Sequence, residues 1–172
     1  MANMLKNISL KYFMISTVVI AIDQITKILT KKNMFLGQSE EILGDFLRYT
    51  YIQNPGMAFG IQIGNKTLFT IFSILASIVV FVYLIRTRGD KVFVKLALAL
   101  ILGGAIGNLI DRVLYGAVVD FIDVGIGQMR WPVFNIADSA VSVGMVILVG
   151  IILFEPKEQA ELKEASQPDS SV

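Results

Sequence analysis

Four long apolar stretches constrain the fold of this chain more than any other feature of its sequence. A helix needs about 20 mostly apolar residues to cross a bilayer, and each stretch approaches that length. Only 17% of the residues are charged, whereas a soluble domain carries about a quarter of its residues as charges. The sequence therefore predicts an all-α membrane protein with four transmembrane helices. The expected spans are residues 12–30, 67–85, 92–110 and 136–154.

The spans and the segments between them form a single predicted membrane domain, residues 1–155. Two long loops separate the spans, at residues 31–66 and 111–135, and a polar tail follows at residues 156–172. The tail contains two prolines and several serines, a composition typical of an unpacked segment.

Lysine and arginine are distributed unevenly over the segments outside the spans and at the ends of the spans. Eight lie near the N-terminus, around the short loop between the second and third spans, and in the tail, against six in the much longer loops. Cytoplasmic segments are enriched in these residues, so their density predicts cytoplasmic termini and outward-facing long loops. The eight are Lys6, Lys11, Arg86, Arg88, Lys91, Lys95, Lys157 and Lys163.

Both outward loops contain β-type sequence. Residues 46–53 are rich in aromatic and β-branched side chains, and Asn54-Pro55-Gly56-Met57 follows with the residue types of a type II turn. A return strand is expected over residues 57–63, and another strand over residues 118–124. We therefore expect a small β cradle on the outer (periplasmic) face of the membrane.

Composition excludes several kinds of chemistry. The chain has no cysteine and no histidine, which removes disulfides, thiol nucleophiles, imidazole bases and Cys/His zinc sites. The net charge of +1 gives no indication of a nucleic-acid partner. Any reaction must therefore use carboxylates, hydroxyls, amides, lysine or arginine.

Charged residues within the spans are candidates for function because they are costly in a bilayer. Asp23 and Lys27 are four residues apart and share one helix face, so they either neutralise each other inside the bundle or serve a site. Asp111 and Arg112 end the third span, and they either form an interfacial salt bridge that stops the helix or belong to the same site.

Small residues in the third span indicate close helix packing. Gly103 and Gly107 form a G-x-x-x-G pattern, which commonly lets two helices approach closely. Asn108 follows, and its amide needs a hydrogen-bond partner because an unpaired buried amide is expensive.

The start of the fourth span allows two interpretations. Asn135 and Asp138 have the spacing of a capping box. Alternatively, Asp138 and Asp120 meet at the outer membrane face as an acid pair, in which like-charge repulsion keeps one proton on the pair. Such a pair can activate water with one carboxylate and donate a proton with the other carboxyl.

Five sequence blocks occur in an order that resembles the lipoprotein signal peptidases, the signal peptidase II family of bacterial membrane aspartyl proteases. They are D-Q-I-T-K at residues 23–27, Y-I-Q-N-P-G-M-A-F-G at 51–60, G-G-A-I-G-N-L-I-D-R at 103–112, V-V-D-F-I-D-V at 118–124 and F-N-I-A-D-S at 134–139. Each block alone is weak, but together they cover nearly the whole chain.

The resemblance implies a function and a set of site residues. The family's catalytic aspartates match Asp120 and Asp138. Its pocket residues match Asp23, Lys27, Asn54, Gly56, Gly104, Gly107, Asn108, Arg112 and Asn135. The implied enzyme is an aspartic endopeptidase of the bacterial inner membrane, which removes the signal peptide of a prolipoprotein just before its diacylglyceryl-modified cysteine. It is expected to be monomeric, to contact membrane lipids, and to need no metal or other cofactor.

Two other classes of function use the same residues. A proton-coupled or ion transporter would also bury Asp23, Lys27 and Asp138. A metal-dependent enzyme would use Asp120, Asp123 and Asp138 as oxygen ligands. Cleavage of a lipid-modified substrate in the presence of a chelator distinguishes the three.

Overall fold

The computed structural model describes residues 10–58, 61–62, 66–87 and 91–154. Four helices are long and apolar enough to cross a membrane, so the four predicted spans are confirmed. Their bounds are α1 Leu10–Asn33, α2 Lys66–Arg86, α3 Val92–Tyr115 and α4 Ile136–Phe154.

Helix α3 occupies the centre of the bundle and packs against the other three helices. Its glycines allow this close approach, as the G-x-x-x-G pattern predicted. A Cβ atom on Gly103 would lie 2.8 Å from the Cβ of Val19 in α1. Helix α3 ends at Gly116, whose left-handed φ of 69° lets its N–H reach the carbonyl of Arg112.

The outward faces of the helices are apolar and exposed. Met14, Val79 and Val146 are 59%, 67% and 71% exposed. A helix that presents apolar side chains away from its bundle requires a nonpolar surrounding, so these faces fit lipid contact.

The β cradle is confirmed, with more strands than the sequence predicted. Strands β1 (Ser39–Leu43) and β2 (Leu47–Asn54) precede α2. Strands β5 (Val118–Ile126) and β6 (Met129–Arg130) lie between α3 and α4, after the short strands β3 (Met57–Ala58) and β4 (Ile61–Gln62). The first two and the last two strands form an antiparallel sheet in the order β1-β2-β5-β6.

The predicted return strand over residues 57–63 is wrong. Met57–Ala58 (β3) pairs with Ile61–Gln62 (β4) in a separate two-stranded hairpin. Strands β3 and β4 are antiparallel, so the chain reverses its direction within this stretch. The alternation of polar and apolar residues along seven positions therefore did not predict where the strand ends. Residues 59–60 and 63 of the expected strand lie outside the described residues, as does the tail at 156–172.

The turn that follows β2 has the positive φ at glycine that its sequence predicts. Gly56 has a φ of 113°, a region that favours glycine. The Asn54 side-chain oxygen accepts a 3.0 Å hydrogen bond from the Gly56 N–H, which fixes the direction in which the Asn54 side chain leaves the strand.

Candidate active site

Strand β5 carries Asp120 to the end of the bundle where α4 begins. The side chain is 1% exposed, and its residue pairs with Ile52 of β2 across the sheet. Each carboxyl oxygen accepts a hydrogen bond from an amide: Oδ1 from Nδ2 of Asn135 at 2.6 Å, and Oδ2 from Nδ2 of Asn54 at 3.0 Å.

Helix α4 carries Asp138 in its first turn. Oδ1 accepts a 2.7 Å hydrogen bond from Nδ2 of Asn108, and Oδ2 accepts a 3.2 Å bond from the backbone N–H of Asn135. The Asn135 side-chain oxygen in turn accepts the Asp138 N–H at 2.9 Å. The capping box predicted from the sequence is therefore present.

Asn135 joins the two acids. Its side chain is fully buried, and it donates to Asp120 while it accepts from the backbone N–H of Asp138. The same residue thus caps α4 and brings a carboxyl of β5 next to a carboxyl of α4. The capping and acid-pair interpretations describe one arrangement rather than two alternatives.

The environment of Asp120 favours a bound proton. Burial and the neighbouring negative charge of Asp138 raise the pKa of Asp120 to about 7, from an ordinary value of 3.8. The hydrogen bonds from Asn54 and Asn135 oppose this rise because they stabilise the ionised form. The pKa of Asp120 therefore lies well above that of an ordinary aspartate, as a group that donates a proton near neutral pH requires.

Asp23 and Asp111 form a second group of acids, and both pair with the cation Lys27. The Nζ atom of Lys27 lies 2.8 Å from Oδ2 of Asp23 and 3.1 Å from Oδ2 of Asp111. All three side chains are at most 1% exposed. The predicted pairing of Asp23 with Lys27 is confirmed.

The acids of this second group also fix the backbone around the site. Oδ1 of Asp23 accepts the Ala137 N–H at 2.9 Å, and Oδ2 of Asp111 accepts the Val119 N–H at 3.1 Å. These bonds attach the start of α4 and the start of β5 to one ion cluster. The positions of both candidate catalytic acids therefore depend on it.

The interpretation of Asp111 and Arg112 as an interfacial pair that stops the helix is wrong. Helix α3 continues to Tyr115, and Asp111 is buried against Lys27 instead. Arg112 is half-buried and interacts electrostatically with Asp138, Asp120 and Asp111.

Asn108 connects the two acid groups. Its side-chain oxygen accepts from Nζ of Lys27 at 2.8 Å and from Nδ2 of Asn135 at 3.1 Å, while its amide nitrogen donates to Asp138. The predicted partner for this buried amide is confirmed. Because Lys27 can only donate here, it forces the nitrogen side of the Asn108 amide toward Asp138.

The three glycines among the candidate residues lie at close contacts between elements. A Cβ atom would lie 2.6 Å from Cδ2 of Phe69 if placed on Gly56, and 2.7 Å from Oδ2 of Asp23 if placed on Gly107. On Gly104 it would lie 2.8 Å from Cγ2 of Val141 in α4. Side chains at Gly104 and Gly107 would push α3 away from α4 and α1, the helices that carry Asp138 and Asp23.

Asp123 does not join the acid pair. Its carboxylate accepts from Nε of Arg130 at 2.7 Å and from the hydroxyl of Thr50 at 2.8 Å. Within the described residues, no group of three acidic side chains is arranged to hold a metal ion. The predicted metal-ligand set of Asp120, Asp123 and Asp138 is therefore not brought together.

Gln24 belongs to the ion cluster although sequence reasoning did not select it. Its Nε2 atom lies 3.1 Å from Oδ2 of Asp23 and 3.2 Å from Oδ1 of Asp111. The sequence places Gln24 directly after Asp23, but only the packing of α1 against α3 brings its side chain to both Asp23 and Asp111.

Fold and site together define a class: a multi-pass membrane protein with a buried carboxylate–amide site at one end of its helices. Residues 15–154 match the family model described as signal peptidase (SPase) II. The chain is 40% identical to the lipoprotein signal peptidase of Syntrophus aciditrophicus over 83% of its own length and 91% of that protein. Identity to the Moorella thermoacetica lipoprotein signal peptidase is 38%, over 86% and 96% of the two chains.

Solved structures agree with these relatives. A bacterial membrane enzyme determined by the in meso method at 1.9 Å resolution has a TM-score of 0.77 and 37% identity, over 85% of this chain and 94% of that one. A second, at 2.3 Å, has a TM-score of 0.74 and 36% identity, over 94% of each. The chain belongs to the lipoprotein signal peptidase (signal peptidase II) family of aspartic peptidases, which cleave signal peptides from prolipoproteins.

Proposed function

We propose that Asp120 and Asp138 are the catalytic pair with which this peptidase cleaves a prolipoprotein just before its diacylglyceryl-modified cysteine. The observation that carries the proposal is Asn135, which holds both residues at once. Within the described part of the chain, neither carboxyl forms an ion pair with lysine or arginine. Repulsion between two such carboxyls favours a proton on one of them, and no salt-bridged cation opposes this directly.

The two acids divide the work of peptide hydrolysis. We assign the shared proton to Asp120, whose pKa is raised to about 7 by burial and by Asp138, and the negative charge to Asp138, at the positive end of α4. Asp138 takes a proton from water as the water oxygen attacks the scissile carbonyl carbon. Asp120 gives its proton to the carbonyl oxygen.

The tetrahedral intermediate then collapses. Asp138 donates its proton to the leaving nitrogen as the C–N bond breaks, and a hydroxyl proton of the intermediate returns to Asp120. Both acids thereby regain their starting states. Each step uses only carboxyl groups and water, which suits a chain without histidine or cysteine.

Other residues at this end of the bundle bind and orient the substrate. Asn54 and Arg112 border the acids and supply donors for peptide carbonyls. The sheet that holds Asp120 offers an extended surface for an extended substrate, a common mode of peptide recognition. We also propose that the enzyme acts as a monomer in contact with membrane lipids.

We propose that this end of the bundle faces outward, with both termini in the cytoplasm. The density of lysine and arginine supports this orientation. A cysteine in place of Glu41, which is 60% exposed, should react with a membrane-impermeant maleimide in intact spheroplasts. A cysteine in place of Ser170, outside the described residues, should react only after lysis. The reverse pattern would invert the orientation.

An inhibitor panel tests the proposed chemistry. The purified protein should cleave a diacylglyceryl-modified prolipoprotein in EDTA, iodoacetamide or a serine-directed fluorophosphonate. It should be inhibited by a substrate-like peptide that places a hydroxyl between the two acids. Loss of cleavage in EDTA, restored by a divalent cation, would indicate a metal-dependent reaction. Ion flux without cleavage would indicate a transporter.

A further inference from the structure

A cavity of about 520 Å³ lies at the end of the bundle opposite the acid pair. It is bounded by the last turn of α2, the first turn of α3 and the last turns of α4. Because Asp138 lies in the first turn of α4, the full length of that helix separates the cavity from the catalytic end. The proposed mechanism makes no use of it.

The polar side of this cavity is basic. Arg86 and Lys91 both line it, and Tyr83 and Thr87 add hydroxyl groups. Among the residues that the structure describes, no acidic side chain lines the cavity and neither cation takes part in an ion pair. The charge is therefore available to an anion.

The first turn of α3 adds to this positive potential. Lys91 occupies the cap position and makes no side-chain hydrogen bond to the helix, and the first turn contains no acidic residue. Helix starts favour negative charge, because their first N–H groups point outward without partners. A lysine at this position is unfavourable by itself, and an anion between it and the helix start would stabilise both.

The remaining wall is hydrocarbon. Leu148, Ile151 and Ile152 of α4 line the cavity, and Ile152 is 74% exposed toward the surrounding of the bundle. The cavity thus continues from a basic rim onto an apolar surface that lies in the membrane. A basic surface next to an apolar one is complementary to a lipid with an anionic headgroup and acyl chains.

We propose that this cavity is a binding site for an anionic phospholipid. Arg86, Lys91 and the α3 N-terminus bind the phosphate, and the α4 side chains contact the upper part of an acyl chain. Basic pockets between transmembrane helices bind anionic headgroups in this way. The site is separate from the catalytic pair and does not depend on the mechanism proposed for it.

Native mass spectrometry of the full chain in detergent tests the proposal. Phosphatidylglycerol and phosphatidylcholine with identical acyl chains compete for the protein, and the bound ratio is measured. Two cations near a lipid phosphate should favour phosphatidylglycerol roughly tenfold or more. The double variant Arg86→Gln/Lys91→Gln should bind the two lipids about equally, because neither glutamine carries a charge. Both substitutions lie at the surface, away from the catalytic pair.

Lys32→Gln is the matched control, because Lys32 is also an exposed cation in the last turn of a span but at the opposite end of the bundle. It should retain the preference of the unmodified chain. Equal binding of both lipids by the unmodified chain would overturn the proposal, as would an equal loss in Lys32→Gln. Displacement by glycerol 3-phosphate at the same concentration would overturn it too, because the acyl contacts would then contribute nothing.

Discussion

The bundle holds two groups of acids, Asp23 with Asp111 and Asp120 with Asp138, and the groups differ in the partners of their carboxyl oxygens. Asp23 and Asp111 share the ammonium of Lys27, whereas Asp120 and Asp138 accept their hydrogen bonds from asparagine side chains and a backbone amide. All four are aspartates; Asp23, Asp111 and Asp120 are at most 1% exposed, and Asp138 is half-buried. A direct salt bridge to a cation thus separates acids that hold the fold together from acids that can keep and transfer a proton.

The largest effect should come from removing a proton-transfer group from the pair Asp120 and Asp138. Asp120→Asn and Asp138→Asn keep the shape of each side chain but can neither accept nor donate the required proton. We expect turnover to fall by roughly 10²–10⁴-fold or more, and we expect substrate binding and folding to be retained. Single-turnover cleavage by detergent-purified variants, normalised to bound substrate, measures this.

Asp123→Asn is the matched control for the acid pair, because Asp123 lies on the same strand as Asp120. Its carboxylate accepts hydrogen bonds from Arg130 and Thr50 instead. It should keep most of the normal rate. If it were as inactive as Asp120→Asn with binding intact, the assignment of the pair would be wrong. Carboxyl-pair catalysis would have to be abandoned if either variant of the pair kept about a tenth of the normal rate.

The next largest effect should fall on stability, through Lys27, the cation of the ion cluster that it forms with Asp23 and Asp111. Lys27→Met leaves Asp23 and Asp111 buried without their shared partner, and breaking a buried pair costs about 3–5 kcal/mol. We expect a large fall in the thermal unfolding midpoint and in the yield of folded protein. Asp23→Asn and Asp111→Asn should lower the yield in the same way.

Arg48→Gln provides the comparison for a cation in a more exposed setting. Arg48 pairs with Glu41 and Asp45, and these side chains are 32%, 60% and 38% exposed. Surface pairs of this kind contribute about 0–1 kcal/mol. Similar unfolding midpoints for Lys27→Met and Arg48→Gln would contradict a structural role for the buried cluster.

The spans and the pairing of Asp23 with Lys27 were easier to predict from the sequence than the details of the sheet. Long apolar stretches define helices almost by themselves, and Asp23 with Lys27 are local neighbours on one face. Strand β1, in contrast, has the sequence S-E-E-I-L with every residue exposed, so no alternation indicates a buried face. The partner of Asp111 was also out of reach, because Lys27 comes from another helix and nothing local to residues 111–112 indicates it.

The smallest expected effect is a shift in the pH profile of the catalytic pair. The pKa of Asp120 is raised to about 7 in the folded chain, from 3.8. The unfolded chain therefore releases this proton at lower pH than the folded chain, so the stability that the protonated group contributes is lost as the pH rises from 3.8 to about 7. Above about pH 7 the folded chain loses the proton too, which removes the general acid. We therefore expect kcat/KM to decline on the alkaline side, above about pH 7.

Asn54→Ala should move this alkaline limb to higher pH. The Asn54 amide donates to Oδ2 of Asp120 and lowers its pKa by stabilising the ionised form. Without this donor, the pKa of Asp120 is lowered less, while burial and the charge of Asp138 still raise it. Asp120 therefore keeps its proton to higher pH. Thr50→Val removes a donor from Asp123 instead and should leave the limb in place. Because Asn54 also borders the substrate, the position of the limb and not the height of the profile is decisive. A limb that stays fixed or moves to lower pH in Asn54→Ala would show that Asp120 is not the group that titrates there.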